Sequence, residues 1–238
     1  MSVSNQVQGS LNALMREFEV ITHNLANVNT VGFKRRSSSF AQSLAEQMES
    51  GGGLEVNSEF DFSQGHMIES GGGLDLALAG DGFFVLQTPE GELYTRNGML
   101  QVNATGQLVD TSGRIVAGEQ GPITIPDTVS TSTVQVSNEG VISAGGAEVG
   151  KLRIVEFGED RSKLVPAGKH CFHMPDSSVR PQAVTNAAVR QGYQESSNVE
   201  MVRELVNMIR VQRMYEANMK FMTANSDRSK SLMNVAMG

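Results

Sequence analysis

The sequence contains few of the residues that mark several common protein classes. Its 238 residues include one cysteine, Cys171, and no tryptophan, and aromatic residues make up only 5% of the chain. A single cysteine excludes an internal disulfide and therefore a small disulfide-stapled scaffold. No apolar run reaches the roughly 20 residues of a membrane-spanning helix, so membrane insertion is not expected. The first residues lack a basic stretch followed by an apolar one, so no cleavable signal peptide is expected.

Basic charge is also scarce in the middle of the chain. The formal net charge is −7. Acidic and basic residues balance in residues 1–50, acidic residues dominate residues 51–196, and residues 197–238 carry a small positive excess. Nucleic-acid binding requires a basic stripe or patch, so this distribution argues against a nucleic-acid partner.

Both ends of the chain show helical periodicity. Apolar residues three or four positions apart lie on one face of a helix, and two such helices bury their faces against each other or against other copies. We therefore expect two long terminal helices that form a coiled-coil-like pair, within one chain or between chains. Ser197 and Glu200 have capping-box spacing and predict the start of the second helix. The first face consists of Val3, Val7, Leu11, Leu14, Phe18, Ile21, Leu25 and Val28, and the second of Met201, Leu205, Met208, Ile209, Tyr215, Met219 and Met222.

The middle of the chain has a different composition. Residues 51–192 hold 22 of the 25 glycines and all six prolines. Short apolar or alternating runs are separated by turn signals such as Asn97–Gly98, which predicts an antiparallel β-domain with an irregular barrel-like or sandwich-like form. The predicted strands are Leu74–Ala79, Gly82–Gln87, Glu92–Arg96, Leu100–Val102, Leu108–Val109, Ile115–Val116, Ile123–Ile125, Val134–Val136, Val141–Ser143, Leu152–Phe157, Lys169–Met174 and Ala183–Asn186.

These patterns predict three regions. Residues 1–30 and 197–238 form a terminal helical domain, and residues 74–196 form the β-domain. Residues 31–73 form an irregular connector with extended or β segments, in which two glycine triplets, Gly51–Gly53 and Gly71–Gly73, flank a short stretch.

The segment Ile21–Lys34 resembles the signature N-L-A-N-x-x-T-x-G-F-K of the flagellar basal-body rod and hook family. Two further blocks are similar to the same family and occur in family order: Leu76–Leu86 with the segments that follow it, and Gln191–Val202 running into Ile209–Lys220. The length, and the order of Gly121–Pro126 and Gly150–Val155, resemble a proximal rod protein more than a distal rod or hook protein. The residues that match the signature are Asn24, Leu25, Ala26, Asn27, Thr30, Gly32, Phe33 and Lys34.

The resemblance implies a structural protein and not an enzyme. In this family, subunits stack into a hollow helical shaft that crosses the periplasm and transmits torque from motor to hook, with the terminal helices as its inner layer. The implied partners are other copies, neighbouring rod proteins and the flagellar type III export apparatus, which takes subunits without a cleaved signal peptide. No cofactor, metal or small-molecule substrate is implied. Phe40 and Leu44 resemble an export-gate motif, although a short amphipathic turn on the connector has the same pattern.

Several residue groups resemble sites of other classes, and each has a simpler interpretation. His170, Cys171, His173 and Met174 are soft metal ligands, but strand alternation divides them between two faces. Gly80–Gly82 lacks the following helix of a phosphate loop, so a tight turn is expected. A glycoside hydrolase uses a pair of acids, and the candidates here are Asp81, Glu90 and Glu92. The sequence shows no convergent polar cluster to accompany them, so this function is not favoured.

The basic triplet Lys34–Arg36 is interpreted as a solvated patch at the helix exit, with a specific acidic partner as the alternative. A secreted β-domain adhesin is the competing function of a different class, but it would not require both terminal helices and the signature.

Overall fold

The computed structural model describes residues 3–38, 58–184 and 187–237. The chain divides into two compact units. The helical unit consists of Met1–Asn27, Arg35–Asp61 and Val199–Gly238, and the β unit consists of Val28–Lys34 and Phe62–Asn198. Within the described ranges, every helix is too short or too polar to cross a bilayer.

The helical unit contains two long helices and one short pair of strands. Helix α1 spans Val3–Ala26 and helix α2 spans Met201–Met237. Strand β1 (Arg36–Ser38) pairs antiparallel with strand β2 (Ser58–Phe60). The two helices pack through buried apolar side chains, and half-buried ones extend this contact. The buried residues are Leu14, Ile21 and Val211, and the half-buried ones are Leu25, Met208 and Tyr215.

Helix α2 begins later than the sequence pattern indicated. Ser197 was expected to cap it, but the helix starts at Met201, and Ser197 is a buried residue of the preceding irregular segment. The backbone N–H of Glu204 donates to the Glu200 carbonyl at 3.0 Å, which makes Glu200 the residue that opens the first helical turn. The prediction failed because capping-box spacing occurs wherever a serine precedes an acid by three residues, whether or not the intervening backbone is helical.

The β unit consists of short antiparallel strands. They are β3 Met67–Glu69, β4 Leu76–Ala79, β5 Phe83–Thr88, β6 Gly91–Thr95, β7 Leu100–Val102, β8 Leu108–Asp110, β9 Ile115–Gly118, β10 Gly121–Pro122, β11 Val134–Val136, β12 Val141–Ala144, β13 Ala147–Lys151, β14 Ile154–Glu156, β15 Val165–Pro166, β16 Cys171–His173, β17 Gln182–Ala183, β18 Ala188–Gln191 and β19 Tyr193–Glu195. The largest sheet has the strand order β15-β16-β6-β5-β9-β8-β7, with β10, β14 and β17 attached at its sides. Strands β11, β12 and β13 form a second sheet, and β18–β4 and β19–β3 are separate pairs.

The core of the β unit is centred on β4 and β5. Phe83 lies on one face of β5 and makes edge-to-face aromatic contacts, whereas the next residue, Phe84, is buried in the main apolar cluster on the other face. Burial on both faces explains why β5 is a continuous apolar run. Each fully buried side chain of this size stabilises the fold by roughly 1.5–3 kcal/mol. The cluster also includes Leu76, Leu78 and Leu86, and the rings around Phe83 are those of Phe62, Phe157 and Phe172.

The expected fold class, a mainly antiparallel β-domain with a helix at each end of the chain, is confirmed. The expected strand at Ile123–Ile125 is wrong, since a single bridge joins Thr124 to Gln107 and the strand lies instead at Gly121–Pro122. Strands β13, β18 and β19 were not predicted, because their polar residues and glycines hide the apolar alternation of a strand.

Candidate functional site

The first part of the signature segment belongs to the helical unit, where Asn24 is fully buried at the end of α1. Its side-chain Nδ2 donates to the Arg36 carbonyl at 2.8 Å, and its Oδ1 accepts from the Arg36 N–H at 2.9 Å. One amide thus satisfies both backbone groups of a strand residue. A carboxylate could accept but not donate here, and an ammonium group could donate but not accept, so the arrangement favours an amide and gives Asn24 a role beyond that of a helix terminator.

The residues that follow Asn24 complete the end of α1. Leu25 packs against the helix–helix cluster, whereas Ala26 is exposed. The side chain of Asn27 donates to the His23 carbonyl at 2.8 Å, and its backbone N–H donates to the Asn24 carbonyl at 3.1 Å. These bonds satisfy carbonyl groups that have no partner within the helix at its last turn.

The second part of the signature belongs to the β unit and turns on Gly32. Its φ angle is +69°, and its N–H donates to the Glu195 carbonyl at 2.7 Å. A Cβ at this position would lie 2.5 Å from the backbone nitrogen of Asn97. Any side chain would therefore be both strained and obstructed, which explains the glycine. The N–H of Phe33 donates to the Thr30 carbonyl at 3.3 Å, and this bond closes the turn that contains Gly32.

Phe33 and Lys34 point into the β unit. Phe33 is buried, and its ring meets the His170 ring edge-on with a centroid distance of 5.7 Å. Lys34 is 2% exposed, and its Nζ lies 2.6 Å from Glu195 Oε1 and 2.7 Å from the Ser63 carbonyl. The interpretation of the basic triplet as a solvated patch is therefore wrong for Lys34. The alternative, a specific acidic partner, is the arrangement observed.

Glu195 lies at the centre of what we call the buried charge cluster, which consists of Lys34, Arg96 and Glu195. The Glu195 side chain is inaccessible to solvent and also accepts from the Gly65 N–H at 3.0 Å. Arg96 Nη1 lies 3.4 Å from Glu195 Oε2 and donates to the Gly80 carbonyl at 2.8 Å. Burial lowers the pKa of Arg96, and the Glu195 carboxylate opposes that shift. Two cations thus depend on one carboxylate in a desolvated position.

The rest of the basic triplet lies in the helical unit. Arg35 Nε is 2.6 Å from Oε1 of Glu204, a buried residue of α2. The Arg36 guanidinium lies over the Phe60 ring at 5.4 Å from its centroid. Neither glutamate partner, Glu195 or Glu204, was predicted, because they lie 161 and 169 residues from their basic partners in the chain.

The apolar residues predicted for helix assembly divide into two groups. On α1, Leu11, Leu14 and Ile21 are buried, whereas Phe18 is 42% exposed. On α2, the residue most buried against α1 is Val211, which the predicted face omitted. Met208, Tyr215 and Met222 are partly buried, and Val7 on α1 is too. The other predicted residues of α2 remain exposed in the single chain: Met201, Leu205, Ile209 and Met219.

Two apolar surfaces of the helical unit follow from this division. The exposed ridge consists of Met201, Val202, Leu205, Val206 and Ile209, and Val202 is 75% exposed. The groove between the helices has a volume of about 480 Å³. Its lining is mainly apolar and includes Leu14, Met15, Phe18, Met208, Val211 and Tyr215.

The other residue groups singled out in the sequence have simple surroundings where the structure describes them. Phe40 and Leu44 of the proposed export motif lie outside the described residues. Cys171 is buried, and burial raises the pKa of its thiol. Among the described residues no group of three or more His, Cys, Asp or Glu side chains is arranged to hold a metal ion. Glu92 pairs with Arg153, and Asp81 pairs with Arg161.

Comparison with known proteins agrees with the signature. Residues 7–34 match the family model of the flagella basal body rod protein, and residues 77–144 match that of the flagellar hook protein FlgE/F/G D1 domain. Residues 190–235 match the flagellar basal body rod FlgEFG protein C-terminal model.

Similar curated proteins cover nearly the whole chain. The flagellar basal-body rod protein FlgF of Caulobacter vibrioides is 34% identical over 92% of this chain and 91% of its own length. FlgG of Buchnera aphidicola subsp. Baizongia pistaciae is 33% identical over 90% and 91%, respectively. FlgG of Caulobacter vibrioides is 32% identical over 85% and 87%. With the buried signature residues and the two terminal helices, these matches show that the chain belongs to the flagellar basal-body rod protein family, of the FlgF or FlgG type.

Proposed function

We propose that this protein is a structural subunit of the bacterial flagellar basal-body rod. Subunits would add to one another and to neighbouring rod proteins to form a hollow helical shaft that crosses the periplasm and transmits torque from motor to hook. The observation that carries the proposal is the exposed ridge on α2. Pairing with α1 leaves it uncovered, and a contiguous apolar surface of this kind is typical of a protein–protein interface.

The ridge and the groove of the helical unit are complementary in chemistry. The ridge is a strip of branched and unbranched apolar side chains, whereas the groove is an apolar channel between two helices. We infer that the ridge of one subunit packs into the helical layer of the next. A contact between two different surfaces of the same chain is repeated from subunit to subunit. It builds a helical filament when the rotation between neighbouring subunits does not close a ring. The helical unit would then form the inner layer and the β unit the outer layer.

Matched substitutions on α2 test this assignment. Ile209→Glu places a charge on the ridge, whereas Ala217→Glu adds the same charge at an exposed position of the same helix outside the ridge. We expect both variants to keep the circular dichroism and melting temperature of the parent. Only Ile209→Glu should fail to enter isolated basal bodies and to restore motility in a deletion strain. Normal incorporation of Ile209→Glu, or normal filaments in the deletion strain itself, would overturn the proposal.

We infer the FlgF type, which is the proximal rod position, in preference to the FlgG type, the distal one. The FlgF and FlgG proteins of the same organism, Caulobacter vibrioides, provide a direct comparison. This chain is more similar to the FlgF protein, and over a larger share of its length. Immunogold labelling of isolated basal bodies should therefore mark the end of the rod nearest the cytoplasmic membrane. Label at the hook end would assign the distal position.

Export through the flagellar type III apparatus is part of the same proposal. The chain has no internal disulfide to obstruct passage of an unfolded polypeptide, because Cys171 is its only cysteine. We propose that Phe40 and Leu44 act as the export-gate motif. Secretion of Phe40→Ala should fall in a strain that makes the export apparatus but no rod, whereas Ser39→Ala should be secreted as the parent is. Equal secretion of both variants would contradict the role of Phe40.

A further inference from the structure

A polar pocket in the β unit is lined by residues other than those of the buried charge cluster. It has a volume of about 240 Å³ and opens between two tight turns, one over residues 110–114 and the other over residues 168–171. We propose that this pocket binds an oxyanion group, a phosphate or a carboxylate, through Lys169 and Arg114. The lining is Thr95, Asn97, Asp110, Thr111, Ser112, Arg114, Lys169 and His170.

Arg114 is held in one position at the pocket by Asp110. Its Nε lies 2.8 Å and its Nη2 2.6 Å from Oδ2 of Asp110. The other Asp110 oxygen, Oδ1, accepts from the backbone N–H groups of Ser112 and Arg114 at 2.9 and 2.8 Å. The carboxylate is therefore engaged by the turn and the arginine. A guanidinium held in this way is preorganised for an anion, and less side-chain freedom is lost when the anion binds.

Lys169 supplies a second cation at the pocket rim. It is exposed and takes part in none of the ion pairs formed within residues 58–184 and 187–237. Lys169 and His170 occupy the centre of a turn that the Cys171 N–H closes onto the Gly168 carbonyl at 3.0 Å, with φ angles of +47° and +60°. Asparagine and glycine adopt this conformation more easily than lysine does. The packing of His170 on Phe33 accounts for the histidine, but no comparable contact within the described ranges accounts for the lysine.

The balance of charge and donors in the pocket also favours an anion. Asp110 neutralises Arg114, so Lys169 leaves the pocket with one excess positive charge within an otherwise acidic middle region of the chain. Thr111 and Ser112, which carry hydroxyl groups, are also among the lining residues. Asn97 Oδ1 accepts from the Met99 N–H at 3.0 Å, which leaves the amide Nδ2 as a donor. Cationic groups flanked by neutral donors are the usual ligands of phosphate and carboxylate groups.

Titration of the isotope-labelled full chain with inorganic phosphate, and separately with acetate, at constant ionic strength tests the proposal. We expect saturable chemical-shift changes confined to the amides of residues 110–114 and 168–171. Lys169→Asn keeps a residue that favours the turn and should bind phosphate about tenfold more weakly, the effect of losing one charge-assisted hydrogen bond. Lys169→Arg should bind as the parent does. Lys163→Asn removes the same charge from an exposed lysine elsewhere in the β unit and is the matched control.

A self-association measurement by sedimentation distinguishes a free anion from a carboxylate of a second copy. If phosphate and Lys169→Asn both weaken association, the second copy supplies the oxyanion. If phosphate binds and association does not change, the ligand is a free small anion. Both results support the pocket. Shifts that do not saturate, or that are equal in the parent and Lys169→Asn, would overturn it.

Discussion

Removal of the Glu195 charge is the sharpest test of how the β unit holds the signature segment. In Glu195→Gln, Lys34 and Arg96 would remain buried without the carboxylate that lies 2.6 and 3.4 Å from them. Loss of one partner of a buried ion pair costs about 3–5 kcal/mol, because the remaining charge is desolvated and uncompensated. Lys34→Met should cost less, about 1.5–3 kcal/mol, since Arg96 still balances Glu195 and only charge-assisted hydrogen bonds are lost.

Urea unfolding followed by circular dichroism measures this difference. With a slope of about 2 kcal/mol per molar urea, Glu195→Gln should lower the midpoint by about 1.5–2.5 M. Glu119→Gln is the matched control, because Glu119 pairs with Lys151 at the exposed surface and its loss should leave the midpoint unchanged. Unfolding of Glu195→Gln at the midpoint of the parent would refute the role of the buried carboxylate, and so would a Lys34→Met variant less stable than Glu195→Gln.

Three further predictions concern single positions. Asn24→Ala should lower the free energy of unfolding by about 2–4 kcal/mol, since both bonds to a strand backbone are lost. Asn24→Asp keeps the acceptor but places a buried carboxylate oxygen against the Arg36 carbonyl, so it should cost at least as much in the same urea assay. Gly32→Ala should cost about 3 kcal/mol or more, whereas Gly71→Ala, at a similar φ of +71° but with open space at Cβ, should cost about 1 kcal/mol; equal losses would show that backbone strain alone decides. Burial and the neighbouring Glu92 carboxylate raise the pKa of Tyr94 from 10.0 to about 12. The stability that this shift contributes is therefore complete below pH 10 and lost as the pH rises from 10 to 12, and Tyr94→Phe should abolish that slope in unfolding measured against pH.

Local patterns predicted the helices and most strands correctly, because these elements depend on periodicity and turn chemistry. Helix α1 was expected to end in the asparagine-rich segment and does, since Asn27 closes its last turn. The predicted strand Leu74–Ala79 contains the observed strand β4, Leu76–Ala79. The prediction was possible because the continuous apolar residues of β4 are flanked by glycine-rich turns. Strand β19, at Tyr193–Glu195, carries mainly polar residues and pairs with β3 far away in the sequence, so no local signal marked it.

The helical periodicity did not predict which face of α2 packs against α1. Apolar residues cover two adjacent faces of that helix, and the predicted face runs between them. The residue buried against α1 is Val211, whereas Leu205 and Ile209 remain exposed. The spacing of apolar residues indicates that a helix has partners, but their number and direction depend on packing against surfaces that the local sequence does not contain.

The buried charge cluster shows the same limit for polar residues. Three consecutive basic residues are most often solvated, because burial of a charge is costly without a partner. The partner of Lys34 is 161 positions later in the chain. The signature and the block around Glu195 were each recognised as family features, yet neither indicated that the two segments share a hydrogen bond.

That separation also determines when the cluster can form. Lys34 is present early in the synthesis or export of the chain. Its partner, the Glu195 carboxylate, follows only after most of the chain has emerged. Contacts between such distant residues form late, because the loop between them must first be closed. A chain cut short before residue 195 would have to leave Lys34 in water or bury it uncompensated. Closure of this single ion pair therefore requires a polypeptide that is complete through β19, the last strand.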